Sequence, residues 1–93
     1  MANNIIRKRF TFIGRVQGVG FRWTAKFLAN EIGLTGWVRN AWGGDVQMEV
    51  QGTRAQINGM VNSLRRERFI RIERIEECEL PVVTDERGFT VKF

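Results

Sequence analysis

Residues 7–33 read RKRFTFIGRVQGVGFRWTAKFLANEIG and decide the fold, because a strand, a tight loop and a helix follow one another within them. Phe10 and Phe12 alternate with polar neighbours, and this period of two predicts a half-buried first strand over residues 7–16. The strand runs into residues 17–20, which read QGVG. Two glycines so close together indicate a tight loop with unusual backbone angles or the close approach of a ligand.

A helix follows this loop directly. Apolar residues recur at spacings of three or four over residues 21–32, and Gly33 supplies a C-terminal stop. The residues of this apolar stripe are Phe21, Ala25, Leu28 and Ile32. The pattern predicts helix one over residues 21–32.

Two strands follow helix one on either side of a Gly-rich connection. Residues 35–41 and residues 46–51 favour strands, and residues 42–45 between them read WGGD, which is typical of a hairpin. The apolar residues that alternate along the second of these strands are Val46, Met48 and Val50. Strands two and three are therefore predicted to be antiparallel neighbours.

The C-terminal half predicts a second helix and two further strands. Thr53 and Gln56 have the spacing of a capping box, and the helix that they begin ends near residues 65 and 66. Its apolar face consists of Ile57, Met60, Val61 and Leu64. The remaining Ile, Val and Phe residues predict a fourth strand over residues 69–80 and a short fifth strand over residues 88–93.

This order of elements predicts an α+β fold of the ferredoxin-like, split βαβ type. The chain would form a β-α-β-β-α-β sandwich with a short extra C-terminal strand, and two helices would cover one face of a mainly antiparallel sheet. Strands one and two would run parallel with strand three between them. Their carboxyl ends would then lie at the same end of the sheet, so the loop after Val16 could meet Asn40.

Length and charge limit the possible classes of protein. A chain of 93 residues is the size of one domain, here residues 1–93, of which residues 1–4 are expected to be loose. The net charge of +5 favours anionic partners such as phosphorylated metabolites, nucleic acid or acidic lipids. Neither a membrane-spanning apolar run nor the apolar region of a secretory signal is present, so a cytoplasmic protein without a membrane partner is expected.

Missing residue types exclude several kinds of chemistry. The chain has no histidine, which excludes His-based triads and His-based metal sites. Ser63 is the only serine and lies in the middle of a predicted helix, without the sharp turn of a nucleophile elbow. Cys78 is the only cysteine, so no internal disulfide framework exists. An enzyme of this composition would work mainly by positioning and electrostatics.

The loop, Arg22 and Asn40 form the candidate site. Several amide groups at the start of helix one lack intrahelical partners and would favour an anion. Arg22 lies in the first turn, where the helix dipole disfavours a cation, so this position suggests a negatively charged partner. If Val38 faces the helices, Asn40 shares its face and can place a water molecule near the same loop.

The sequence closely resembles the acylphosphatase family over essentially its whole length. The resemblance rests on GRVQGVGFR at residues 14–22, GWVRN at residues 36–40, GDV at residues 44–46 and the closing FTVKF at residues 89–93. It implies that Arg22 binds phosphate, that Asn40 positions the attacking water, and that a loop cradles the phosphate. The residues of that loop are Gln17, Gly18, Val19, Gly20 and Phe21.

The same resemblance implies the reaction. Members hydrolyse the carboxyl-phosphate anhydride of small acyl phosphates to a carboxylate and inorganic phosphate, without a metal or cofactor. The phosphate of the substrate would assist in deprotonating the water, and inorganic phosphate would be both product and inhibitor. A monomer is expected.

Two other functions stay open from the residues alone. Ferredoxin-like sheets can bind RNA, and the basic run of residues 65–74 could serve such a module, although the aromatic RNP pattern is missing. A protein-interaction module on the same fold is the other possibility. Trp23 and Trp37 are expected to be packing residues, and Trp42 is expected to be partly exposed near the mouth of the site.

Overall fold

The computed structural model describes residues 4–93. The predicted loose segment, residues 1–4, therefore lies outside the described residues except for Asn4, which is exposed and precedes the first strand. Five strands and two helices follow in the predicted order: β1 (Ile5–Arg15), α1 (Phe21–Ile32), β2 (Thr35–Asn40), β3 (Val46–Thr53), α2 (Arg54–Arg66), β4 (Arg71–Leu80) and β5 (Phe89–Lys92). A short 3-10 turn (Trp42–Gly44) connects β2 to β3.

The five strands form one sheet in the order β4-β1-β3-β2-β5. β3 pairs antiparallel with both β1 and β2, so β1 and β2 run parallel with β3 between them, which confirms the predicted topology. β4 pairs antiparallel with β1 at one edge. β5 pairs parallel with β2 at the other edge, a pairing that the sequence pattern did not specify.

Local signals set the ends of both helices. Gly20 precedes α1 with a φ of 81°, and Gly33 ends it with a φ of 92°, a left-handed conformation that glycine adopts without strain. Thr53 and Gln56 form the predicted capping box of α2, with the Thr53 hydroxyl accepting from the Gln56 amide at 3.2 Å. Several predicted strand ends were wrong by one or two residues. β1 begins at Ile5 rather than at residue 7, and β4 begins at Arg71 rather than at residue 69, because residues 68 and 69 form the turn after α2.

One hydrophobic core lies between the sheet and the two helices. The strand residues predicted from alternation and the apolar faces of both helices meet in it. Among the largest fully buried side chains are Phe10, Phe12, Phe21, Met48, Ile57, Met60 and Leu64. This core fixes the end of β1 and the start of α1 relative to each other, because Phe12 and Phe21 pack with ring centroids 5.0 Å apart.

The side chain of Arg7 is buried and bound by carboxylates. It is 3% exposed, and its Nε donates to Glu49 Oε1 at 2.9 Å. Its two terminal nitrogens donate to the two oxygens of Glu86 at 2.8 and 3.1 Å. Glu86 belongs to residues 81–88, which connect β4 to β5 and which we call the strap. The network of Arg7 therefore holds the strap against β1 and β3.

A second contact holds the strap in the same place. The side-chain amide of Gln51 donates to the Val83 carbonyl at 2.9 Å, and its oxygen accepts from the Val83 amide at 2.9 Å. The strap thus contacts β1 through the pair of Glu86 with Arg7, and it contacts β3 through the side chain of Gln51. It delivers the chain from β4, at one edge of the sheet, to β5 at the other.

Glu86 should make the stability of the fold depend on pH. Burial raises the pKa of Glu86, but hydrogen bonds from Arg7 and Thr35 and the charges of Arg7 and Lys92 outweigh it, so the pKa lies below its ordinary value of 4.5. A carboxyl whose pKa is lowered by folding stabilises the fold above its ordinary pKa, and this contribution is lost as the pH falls through the folded-state pKa. Glu86→Gln should therefore cost about 1–3 kcal/mol of unfolding free energy at pH 7. The cost should shrink below pH 4.5.

Urea unfolding at a series of pH values measures this difference. The matched control is Glu76→Gln, which removes the carboxylate of an exposed pair with Arg74 and should cost less than about 1 kcal/mol. If both variants lose the same unfolding free energy at pH 7, the pair of Glu86 with Arg7 contributes no more to stability than a surface pair.

Candidate active site

The loop between β1 and α1 adopts the unusual backbone conformation that its glycines predict. Gly18 and Gly20 have φ values of 73° and 81°, in the left-handed region, and no atom lies within 4 Å of the position of an added Cβ at either residue. The loop is therefore open on the side where side chains would otherwise stand. This leaves its main chain accessible to a ligand.

The start of α1 presents amide groups that have no partner within the helix. The first bond of the helix runs from the Thr24 amide to the Gly20 carbonyl, at 3.0 Å. The amides of Phe21, Arg22 and Trp23 precede it and have no intrahelical carbonyl to bind. Together with the positive end of the helix dipole, these groups can hold an anion.

The side chain of Gln17 ties this loop to the turn between β2 and β3. Its Nε2 donates to the carbonyls of Ala41 and Asp45, each at 2.8 Å. The Asp45 carbonyl also accepts from the Ala41 amide at 2.8 Å, which closes the turn. The loop and the end of β2, predicted to meet, are thus in direct contact. The sequence pattern predicts Gln17 in the loop but does not indicate this bridging role.

Asn40 lies at the end of β2, as predicted. It shares a face with Val38, and its partner across the ladder is Val46; both valines are fully buried under the helices. Asn40 itself is exposed. Its carboxamide therefore stands at the rim of the helix-covered face, one residue before the carbonyl that Gln17 binds.

Arg22 approaches the same rim from α1. Its guanidinium carbon lies 4.8 Å from the centroid of the Phe93 ring. Arg39 of β2 pairs with Lys92 of β5, and the two strands run parallel. Asn40 follows Arg39 and Phe93 follows Lys92, so both lie just beyond this pair at the same end of the sheet. Arg22, Phe93 and Asn40 therefore gather at one end of the sheet. Phe93 was not predicted as a residue of the site, because the pairing of β5 with β2 was not predicted.

The tryptophans differ from expectation in one case. Trp42 is fully exposed beside the site, in line with its predicted position. Trp37 is half-buried beneath the cations of Arg39 and Lys92, which lie 5.4 and 4.6 Å from its ring centroid. Trp23 was expected to pack, but it is 58% exposed, because it lies on the outer side of α1 with Lys26 5.7 Å from its ring.

Two features are absent from the residues that the structure describes. Among residues 4–93, no three Cys, Asp or Glu side chains are grouped so that they could hold a metal ion. Within the same residues, no helix has the length and apolar character needed to cross a membrane.

Comparison with known proteins identifies the family. A sequence model described as Acylphosphatase matches residues 8–91. The chain belongs to the acylphosphatase family. An acylphosphatase of Clostridium perfringens strain 13 is 41% identical over 87 residues, which cover 92% of this chain and 98% of that relative.

Solved acylphosphatase structures share the fold over nearly the whole chain. An acylphosphatase from Coxiella burnetii is 33% identical with a TM-score of 0.85, covering 96% of this chain and 94% of that one. The crystal structure of acylphosphatase from Bacillus subtilis is 27% identical with a TM-score of 0.87, covering 95% and 99%. The predicted ferredoxin-like fold and the predicted acylphosphatase function are confirmed: the protein is a hydrolase of acyl phosphates. The nucleic-acid and interaction modules are not favoured.

Proposed function

We propose that residues 1–93 act as one catalytic domain in which Arg22 and the loop amides hold the substrate phosphate while Asn40 orients the attacking water. The observation that carries this proposal is the bridge from Gln17 to Ala41 and Asp45, since it fixes the loop against the strand that ends at Asn40. The roles of Gly18, Val19, Gly20 and Phe21 are those of amide donors around the phosphate.

The loop and Arg22 supply the positive potential that a phosphate needs. Amides at the start of α1 and a planar guanidinium can bind several phosphate oxygens at once, and Arg22 can do so bidentately. The loop itself, residues 17–22, contains no carboxylate that would repel the ligand. Most of the catalytic effect would then come from placement and from stabilising charge as the phosphoryl group transfers.

Asn40 would place the water without acting as a base. A carboxamide can donate to and accept from one water molecule, and thereby aim a lone pair at phosphorus. The proton would pass to an oxygen of the substrate phosphate, while the acyl carboxylate leaves. Because a carboxylate is a good leaving group, no side chain of the site has to protonate it.

The proposal includes independence from metals and inhibition by product. Arg22 and the amides would perform the electrostatic work that metal ions perform in other phosphoryl-transfer sites. Steady-state hydrolysis of benzoyl phosphate should be unaffected by a chelator, and inorganic phosphate should inhibit competitively. Loss of activity with chelator and its recovery with a divalent cation would contradict this.

We also propose that the enzyme works as a monomer in the cytoplasm. The loop, the end of β2 and the residue after β5 come from one chain, so a single copy holds every group that the proposed mechanism uses. The lone Cys78 is free and exposed, a state that a reducing compartment preserves.

Asn40→Ala should slow turnover on the order of 10²-fold or more, because it removes a single positioned polar group from the reacting water. Phosphate should still bind, since Arg22 and the amides remain. The matched control is Asn58→Ala on the exposed side of α2, which should leave turnover unchanged. Steady-state kinetics and circular dichroism of both variants test this, and full activity in Asn40→Ala would remove Asn40 from the mechanism.

A further inference from the structure

A basic groove lies beside the loop, on the side away from Asn40. Its volume is about 800 Å³, and it runs between the end of β1, the end of α2 and the start of β4. The residues that give the groove its charge are Arg15, Arg65, Arg68 and Arg71, with Glu73 as the one acidic residue. Four arginines and one glutamate give the groove more than half of the net charge of the chain, which is +5.

Two arginines of this basic groove lie directly opposite each other, and none of the four has a carboxylate partner within the described residues. Arg15 and Arg71 are direct partners across the β1–β4 ladder, a position in which like charges repel. The salt bridges formed among residues 4–93 involve Arg7, Lys8, Arg54 and Arg74, and none of the four groove arginines. A bound anion would relieve this repulsion and give the guanidinium groups partners.

The basic groove adjoins the loop that would hold the phosphate. Val19 lines the groove and is also a member of the loop that would hold the phosphate. A substrate whose phosphate lies on the loop amides would thus have its acyl portion within reach of the groove. The volume falls in the range of small-molecule sites, about 300–1,000 Å³, and exceeds what a small neutral acyl group needs.

We propose that the basic groove binds a second anionic group carried by the acyl part of the substrate. The inference rests on the proposed function of the loop and deepens it. The preferred substrates would be acyl phosphates whose acyl group bears its own carboxylate or phosphate, because guanidinium groups bind both of these planar or tetrahedral oxyanions by paired hydrogen bonds. A substrate with an uncharged acyl group would use the loop alone.

A pair of substrates that differ only at the far end tests this inference. Adipyl phosphate and hexanoyl phosphate have the same chain length, and a carboxylate in the first replaces a methyl group in the second. The ratio of their kcat/KM values should favour adipyl phosphate about tenfold, the effect of one charge-assisted hydrogen bond at the low end of its range. The preference should decline as salt is added, because the groove is open to solvent.

Variants of the basic groove should remove the preference. In the double variant R68Q/R71Q the ratio should fall to about one, mainly through loss of kcat/KM for adipyl phosphate. The control R54Q/R87Q removes the same charge from exposed positions outside the groove and should keep the ratio. Circular dichroism verifies that both variants are folded.

The outcomes separate the two proposals. Hydrolysis of hexanoyl phosphate with a ratio near one in the unmodified enzyme would overturn the basic groove as a substrate site and leave the proposed function standing. Equal loss of the ratio in R54Q/R87Q would show general electrostatic attraction instead of a site. Failure to hydrolyse either compound would overturn both proposals.

Discussion

Replacing Arg22 with alanine should nearly abolish both the binding of inorganic phosphate and the turnover of acyl phosphates. A bidentate guanidinium makes two charge-assisted hydrogen bonds, each contributing about 1.5–3 kcal/mol. Their joint loss corresponds to a fall in kcat/KM on the order of 10²–10⁴-fold. The fold should persist, because the only described contact of the guanidinium is with the largely exposed Phe93.

Two further variants test whether the effect comes from the guanidinium of Arg22 or from positive charge in general. Arg22→Lys keeps the charge but loses the planar fork, so it should recover only part of the activity. Lys26→Ala removes a positive charge one turn further along α1 and should have little effect. Kinetics with benzoyl phosphate and the inhibition constant of phosphate measure both properties. An unchanged inhibition constant in Arg22→Ala would contradict the assignment of Arg22 to phosphate.

Replacing Arg7 with alanine should cost about 3–5 kcal/mol of unfolding free energy, because it leaves Glu49 and Glu86 close together without their shared cation. Small domains have a total stability of about 5–15 kcal/mol, so this variant should be close to unfolding at room temperature. The hydrogen bonds that Arg7 donates to Glu86 and Glu49 also raise its pKa above the ordinary value, so it stays charged throughout the accessible pH range.

Urea unfolding at pH 7 tests the Arg7 prediction. The control is Arg54→Ala, which breaks an exposed pair with Glu79 and should change the stability by less than about 1 kcal/mol. The triple variant R7M/E49Q/E86Q removes all three charges together and should lose less unfolding free energy than Arg7→Ala, since no half-buried carboxylate is then left without a partner. A loss in Arg7→Ala no larger than in Arg54→Ala would contradict the role of the buried network.

The sequence predicted the elements well because each is set by local signals. Alternation along β1 and β3, the helical stripe that begins at Phe21 and the capping box at Thr53 all act within a few residues. Once these elements were assigned, the split βαβ arrangement placed β3 between β1 and β2. The meeting of the loop with the end of β2 followed from that topology.

The features that were not predicted depend on residues far apart in the chain. The bridge from Gln17 to Ala41 and Asp45 spans 24 and 28 positions, and the pair of Arg7 with Glu86 spans 79. Such contacts leave no periodic pattern. The alternation along β1 predicts that Arg7 lies on the face of the sheet that the helices do not cover. Arg7 is buried there because the strap crosses that face.

The candidate site was predicted only in part, because some of its residues lie in local motifs and others come from distant parts of the chain. Motifs at residues 14–22 and 36–40 named Arg22 and Asn40, but no local pattern indicated that Phe93 would lie beneath the guanidinium. The basic groove was anticipated only as a charge run. Its shape arises because the end of α2 and the start of β4 approach the loop, which composition cannot show.

The position of β4 at the edge of the sheet has a consequence for behaviour in concentrated solution. A ten-residue edge strand offers a row of main-chain donors and acceptors to which a strand of another molecule could add. Most residues of β4 are charged, and its burial pattern is mostly exposed. A second copy docking there would bring ionised side chains against each other and strip them of water, so the long open edge is protected against stacking into fibrils.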